Sequence, residues 1–306
     1  MELSPYLRPR DCPVCGSADA SNVVYSARID EQKLNGFAFA SRKLPEYMHL
    51  TLLKCPTCRV LYASPGFVPE FLANAYRDAS YDSSEEARYA AKTYARQLTS
   101  ILSGMNDREA ALDVGTGNGA FLHYLREAGF HKVIGLEPSL KAVACAEEWM
   151  RPLIRVGVFR ARDFEPNSLS LVSCFQTIEH VENPRALCID LYGLLRPRGA
   201  IFLVAHNYCS WTSRVLGERS PIFDIEHQQL FSKGSLRYLL TACNFQDVRT
   251  GSIWNSYPLT YWLRLLPIPA WLKQRAIQGA KRLHIGKVPL RLNIGNIFAV
   301  GFKGAA

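Results

Sequence analysis

Short apolar runs recur along the middle of the chain, at residues 110–114, 132–137, 153–159, 169–175 and 199–205, with helical patterns between them. Runs of that length and composition are what strands buried on both faces of a parallel sheet require. Ligands of such sheets sit beyond the C-terminal ends of the strands. FQDVRTGSIW (245–254) reads as a sixth strand and NIFAVGFK (296–303) as a seventh. Upstream, residues 67–105 are helical in pattern. Tyr89, Tyr94, Leu98, Ile101 and Leu102 recur at helical spacing after a Ser83/Ser84–Glu86 capping signal. Near the C-terminus, AWLKQRAIQGAKRLH puts Leu272, Ala276, Ala280 and Leu283 on one helical face and Lys and Arg on the other.

The first of these strands ends in a glycine turn, Gly115-Thr116-Gly117-Asn118-Gly119-Ala120, followed by another apolar run. A strand leading through glycines into a helix presents backbone N–H groups to a nucleotide-like ligand. No Lys follows the glycines, so a triphosphate loop is excluded, while the dinucleotide spacing G-x-G-x-x-[GA] fits. Asp113 decides between ligands. A carboxylate two residues before the first glycine would repel a pyrophosphate, by several kcal/mol or so at low effective dielectric. It would welcome a ligand carrying an ammonium and a sulfonium and no phosphate, which describes S-adenosylmethionine. KVIGLEPS (132–139) then ends in Glu137, at the distance expected of an acid that takes two ribose hydroxyls.

Asp113-x-Gly115-x-Gly117-x-Gly119 followed by Leu136-Glu137-Pro138-Ser139 resembles class I S-adenosylmethionine-dependent methyltransferases. The likeness continues through CFQTIEHVENP (174–184), LLRPRGAIFLV (194–204) and HQQLFSKGSLRYLLTACNF (227–245), covering roughly residues 106–250. It implies a Rossmann-like α/β fold of seven strands, the seventh antiparallel beside the sixth. Asp113, Gly115, Gly117, Gly119, Glu137 and Gln176 would hold the cofactor. The acceptor would lie past the fourth strand near Thr177 and Glu179, and near His206 and Asn207 at the end of the fifth. His180 and His227 are the candidate bases, each with a structural role as the alternative. Glu179 with His180 could instead hold a divalent ion, as in the quinone-pathway methyltransferases that this stretch resembles. Many relatives carry an Asp for the adenine amino group after the third strand. Here the run is RVGVFRARDFE, with Val158 or Phe159 at that point and Asp163 too late, so backbone and apolar packing are expected to hold the adenine.

Two C-x-x-C pairs, Cys12/Cys15 and Cys55/Cys58, stand apart from five scattered cysteines. In a reducing compartment, two such knuckles read as four thiolates on one structural zinc with no open coordination position. The 39 residues between them exceed the usual ribbon spacing. The second knuckle resembles zinc-binding segments that precede some methyltransferase domains, including sugar methyltransferases of natural-product and surface-glycan pathways. Arg59 departs from the glycine usual at its place. The domain expectation is therefore a small four-cysteine zinc ribbon over 1–66, a helical cap over 67–105, a methyltransferase domain over 106–254 plus 292–306, and an insertion over 255–291.

Charge singles out that insertion. From Val248 to Ala306 there is no Asp or Glu but nine Lys and Arg, equal to the whole chain's net charge of +9. Three of the five tryptophans (Trp254, Trp262, Trp271) fall in the same stretch. A cationic, Trp-rich amphipathic segment there could attract a phosphorylated or lipid-linked acceptor, or lie on an anionic membrane. No run of ~18 apolar residues exists, so the expectation is a cytoplasmic enzyme with peripheral contact at the inner membrane face. The functional expectation is methyl transfer, by O-methylation, to a small molecule or a glycan or secondary-metabolite acceptor. The alternatives are a zinc-ribbon RNA methyltransferase, against which residues 1–66 show no basic stripe, and a non-enzymatic S-adenosylmethionine-binding protein.

Overall fold

A computed structural model of the chain describes residues 3–19, 22–30, 39, 47–79, 84–105, 107–266 and 268–305. At the N-terminus, strand β1 (Leu7–Arg8) pairs with β5 (Gly66–Phe67). Between them β2 (Asn22–Tyr25), β3 (Leu52–Lys54) and β4 (Leu61–Ala63) form an antiparallel sheet. Helix α1 (Pro69–Asp78) starts on a proline, whose fixed φ suits a first turn. Helix α2 (Ser84–Leu102) buries Tyr94, Leu98 and Ile101, as their spacing predicts. Ser83 and the Ser84 side chain, which belong to the expected capping signal, lie outside the described residues.

The central sheet alternates with helices in chain order. Strand β6 (Ala110–Val114) is followed by α3 (Leu122–Glu127), β7 (Lys132–Glu137) by α4 (Leu140–Ala144), and the short β8 (Ile154–Val156) by β9 (Leu169–Phe175). Next come α5 (Pro184–Leu194), β10 (Leu195–His206) and α6 (Trp211–Leu216). They are followed by β11 (Gln229–Leu230), α7 (Lys233–Ala242), β12 (Gln246–Pro258), α8 (Leu259–Leu265), α9 (Ala270–Arg282) and β13 (Pro289–Phe302). The sheet order is β12-β13-β10-β9-β6-β7-β8, with β13 antiparallel to both its neighbours and β6 to β10 mutually parallel. Helices α5 and α7 cover one face, through Leu191, Leu236 and Leu239. Helices α2 and α3 cover the other, through Tyr94, Leu98 and Leu125 against Leu171 and Phe202. Burial on both faces is why these strands read as unbroken apolar runs.

Three features differ from the sequence expectation. The third strand covers only 154–156, because the chain turns away at Gly157, whose φ is +142°. The sixth and seventh strands continue past 254 and start before 296, so that Pro258 pairs with Pro289. They form one long hairpin with α8 and α9 at its tip. The buried side of α9 centres on Ala280 and the half-buried Ala276 and Ile277, while Leu272 and Leu283 are exposed. The helix is thus rotated away from the face that its apolar residues suggest, because it packs chiefly on α8.

The N-terminal segment shares its sheet with the rest of the chain. Strand β11 pairs antiparallel with β4, and Val14, Cys55, Val60 and Tyr62 join the cluster that contains Leu187 and Leu236. The Arg10 guanidinium donates to the carbonyls of Ala63 (2.7 Å), Glu182 (2.9 Å) and Gln228. Burial lowers its pKa to about 10. No helix among the described residues is long and apolar enough to cross a membrane.

Candidate active site

Strand β6 delivers Asp113 and the glycine turn to the C-terminal edge of the sheet. Gly115, Gly117 and Gly119 all have positive φ (+75°, +59° and +78°), which a side chain resists. Gly115 is also fixed by space, since a Cβ there would stand 2.1 Å from Thr177 Oγ1. The turn is tied to β7 by bonds from Gly115 N and Thr116 N to Leu136 O. Glu137, only 8% exposed, accepts from Gly117 N at 2.8 Å and Ser139 N at 2.9 Å. Burial raises its pKa, the two N–H bonds oppose that, and the charge of Asp113 adds to the rise. Burial also pushes the Asp113 carboxyl up to about 6, against the bond that Ser173 Oγ donates to it at 2.6 Å. Asn118 Oδ1 is buried with no partner among the described residues. Two buried carboxylates and an unpartnered amide oxygen form an acceptor-rich floor that suits a ligand bearing hydroxyls and positive charge.

That floor opens into a cavity of about 1410 Å³. A drug-sized ligand site spans roughly 300–1,000 Å³, so a second molecule has room beside the first. Aromatic and apolar groups line much of the cavity, among them Tyr94, Phe175, Tyr257, Tyr261 and Trp262. Val158 and Phe159 line the cavity and Asp163 does not.

Three histidines stand together in the cavity, His180 and His206 with ring centroids 4.9 Å and 5.0 Å from that of His227. His180 Nδ1 lies 2.8 Å from the Tyr76 hydroxyl and 3.2 Å from Glu226 O. Burial lowers its pKa, against the raising effect of the Glu179 charge. His227 Nδ1 lies 2.8 Å from Ile222 O, which fixes the proton on Nδ1 and the lone pair on Nε2. Gln176, at φ +50°, follows β9, and its side-chain nitrogen approaches His206 Nε2 at 3.1 Å.

The cavity brings together Asp113, Gly115, Gly117, Glu137, Gln176, Thr177, His180, His206 and His227. Gly119 lies behind the turn, where a Cβ would press on Ile154 at 3.0 Å. Two expected substrate residues do not line the cavity. Glu179 is fully buried, and its Oε1 accepts from His206 N at 2.6 Å and His206 Nδ1 at 3.0 Å, so it positions that ring. Asn207 turns its Oδ1 to Cys209 N at 3.0 Å and braces the loop that follows β10. Tyr76 and Glu226 escaped the sequence reading. Glu226 had a signal in its place beside His227, whereas Tyr76 had none, because it meets His180 across 104 residues.

The four cysteines of the two knuckles converge, with Sγ atoms all within 4.8 Å, 3.4 Å for Cys12–Cys58 and 3.5 Å for Cys15–Cys55. Zn–S bonds of about 2.3 Å in a tetrahedron put sulfurs about 3.8 Å apart, so the set fits one zinc ion. The knuckles match in detail: Gly16 N donates to Cys12 O and Arg59 N to Cys55 O. The donor atoms of His180, Glu226 and His227 also lie within 4.8 Å of one another and could hold a divalent ion. Glu179, which engages His206 through Oε1, is not part of this set.

Residues 84–250 match the family described as "Methyltransferase domain". Two curated relatives are similar, both named ubiquinone biosynthesis O-methyltransferase. The Methylococcus capsulatus protein is 25% identical over 46% of this chain and 62% of its own length. The Idiomarina loihiensis protein is 28% identical over 47% of this chain and 65% of its own length. Each match thus spans less than two thirds of the relative. Among solved structures, a SAM-dependent methyltransferase from Archaeoglobus fulgidus is 16% identical, covering 77% of this chain and all of that one, with a TM-score of 0.46. The family match covers more than half of the chain and contains the glycine turn, both carboxylates and all three histidines, and on that basis the chain belongs to the methyltransferase-domain family.

Proposed function

We propose that the protein transfers a methyl group from S-adenosylmethionine to an oxygen of a small-molecule acceptor. The observation that carries this reading is that buried Asp113 and Glu137 flank the glycine turn in one cavity that His180, His206 and His227 also line. When bound, S-adenosylmethionine supplies an activated methyl group on a sulfonium, so the protein's task is mainly alignment and proton removal. Glu137, with both oxygens anchored by N–H groups, keeps its remaining lone pairs for ribose hydroxyls. Asp113 places negative charge near the cationic amino-acid end. Gly115 and Gly117 let the backbone approach closely, and Gln176 closes the same end. Val158 and Phe159 pack on the adenine.

The acceptor sits between Thr177 and the histidines, with the aromatic wall excluding water. His227 Nε2 takes the acceptor proton, and burial keeps His180 neutral beside it to relay or accept in turn. Two curated relatives that carry O-methyltransferase names support an oxygen acceptor. The four-cysteine set holds a structural zinc and takes no part in the chemistry. The test supplies methyl-labelled S-adenosylmethionine with a panel of phenolic and sugar hydroxyl probes. Label should pass to at least one probe. His227→Ala should lower the rate by about 10²–10⁴-fold while S-adenosylmethionine affinity holds. Full activity in both His227→Ala and His180→Ala would remove the proton-transfer assignment.

A further inference from the structure

The hairpin tip leaves an unusual surface around the mouth of the cavity. On α9 the outward stripe is Trp271, Arg275 and Arg282, with Arg275 stacked over the Trp271 ring at 5.5 Å. Leu272 and Leu283 flank it, and Trp271 and Leu283 are 60% and 69% exposed. Ile285 and Val288 before the returning strand, and Leu290 and Leu292 on it, are exposed as well, interleaved with exposed Lys287 and Arg291. Helix α6 extends this surface. Trp211 Nε1 donates to Asn293 O at 3.1 Å and Thr212 Oγ1 to Ile294 O at 2.6 Å, which pins the helix to β13. Trp211 and Val215 are then 65% and 75% exposed, and both line the cavity. Trp254, Leu266 and Leu292 are likewise exposed and cavity-lining.

Large exposed apolar side chains in this number need an explanation, since soluble surfaces rarely gather them. A water-facing helix could carry the cations alone, and a protein partner's socket could take the tryptophans alone. Aromatic and leucine side chains mixed with Lys and Arg, with no acid from Val248 to Ala306, suit an interface that is apolar within and anionic at its surface. We infer that α9, the hairpin tip and α6 rest on an anionic lipid bilayer, with the cavity mouth opening onto it. Trp271, Leu272 and Leu283 enter the headgroup region, and Arg275, Lys281, Arg282, Lys287 and Arg291 meet lipid phosphates. The consequence for the acceptor rests on the methyltransferase reading: an amphiphile dissolved in the bilayer passes between Trp211, Trp254 and Leu266 into the aromatic chamber without crossing water.

The experiment is flotation of the full chain with phosphatidylglycerol-containing vesicles and with pure phosphatidylcholine vesicles, at low and high salt. Binding to the anionic vesicles that weakens with salt is expected. The triple substitution R275Q/K281Q/R282Q should weaken partitioning roughly a hundredfold, because each cation contributes about fivefold, and Trp271→Ala should weaken it severalfold. None of these side chains lines the cavity, so calorimetric S-adenosylmethionine affinity should be unchanged, which separates this test from that of the activity. No flotation with anionic vesicles at low salt, or undiminished flotation of the triple variant, would overturn the inference.

Discussion

Arg59 holds in the second cysteine knuckle the same left-handed backbone, φ +63°, that Gly16 holds in the first, φ +73°. The knuckle geometry, and not the residue, sets this conformation, and a side chain there carries about 1 kcal/mol of strain. Arg59→Gly is expected to raise the melting temperature by about 2–4 °C, and Gly16→Ala to lower it, each with zinc content unchanged. Differential scanning calorimetry on the zinc-loaded chain measures both.

Arg59 also ties the cysteine cluster to the loop after β10. Its carbonyl accepts from the Tyr208 hydroxyl at 2.6 Å, and Arg10 and the β4–β11 pairing join the same segment to the strand that follows His227. Elemental analysis should find about one zinc per chain, falling sharply in Cys55→Ser. Removing the metal leaves four cysteines in a segment with little core of its own. A strong chelator should therefore lower the melting temperature and, through β11, the activity as well. Metal retained when all four cysteines are replaced by serine would refute the assignment.

Asp113 is destabilising to the cofactor-free fold. Its carboxyl rises from an ordinary 3.8 to about 6 on burial, a difference of about 3 kcal/mol against the charged form. The folded state then holds a proton that the unfolded state has lost between those values. The penalty is full above about pH 6 and is relieved as the pH falls through 6 toward 3.8. Asp113→Asn should therefore stabilise the cofactor-free protein at pH 7.5 and weaken S-adenosylmethionine binding. In the native protein affinity should fall as the pH drops below about 6, with proton release on binding. Calorimetry in buffers of differing ionisation enthalpy detects that proton.

The legible parts of the fold were those where burial is two-sided. The strands at 110–114, 132–137 and 169–175 match the apolar runs residue for residue, because both their faces are covered. The hairpin tip was harder to read. Residues 255–258 and 289–292 mix polar and apolar positions and include Pro258 and Pro289, so they read as lying outside the strands and mostly in the insertion, yet they pair across both strands. Leu272 and Leu283 shared a predicted face with Ala276 and Ala280 but are exposed where Ala280 is buried, because helical spacing cannot say what a helix packs against. The grouping of Asp113, Gly115 and Glu137 at one end of the cavity was legible, since one local turn builds it. The histidine cluster was only partly legible, because Tyr76–His180 and Glu179–His206 are long-range contacts that leave no local pattern.

The most direct measurement is calorimetric titration of S-adenosylmethionine, and of NAD, into the native chain and Glu137→Ala. The native chain should bind one S-adenosylmethionine with low-micromolar to sub-millimolar affinity. Glu137→Ala should weaken that by ~1–3 kcal/mol, since a charge-assisted acceptor is lost. NAD should give no signal. Tight NAD binding with no heat from S-adenosylmethionine would contradict the central claim.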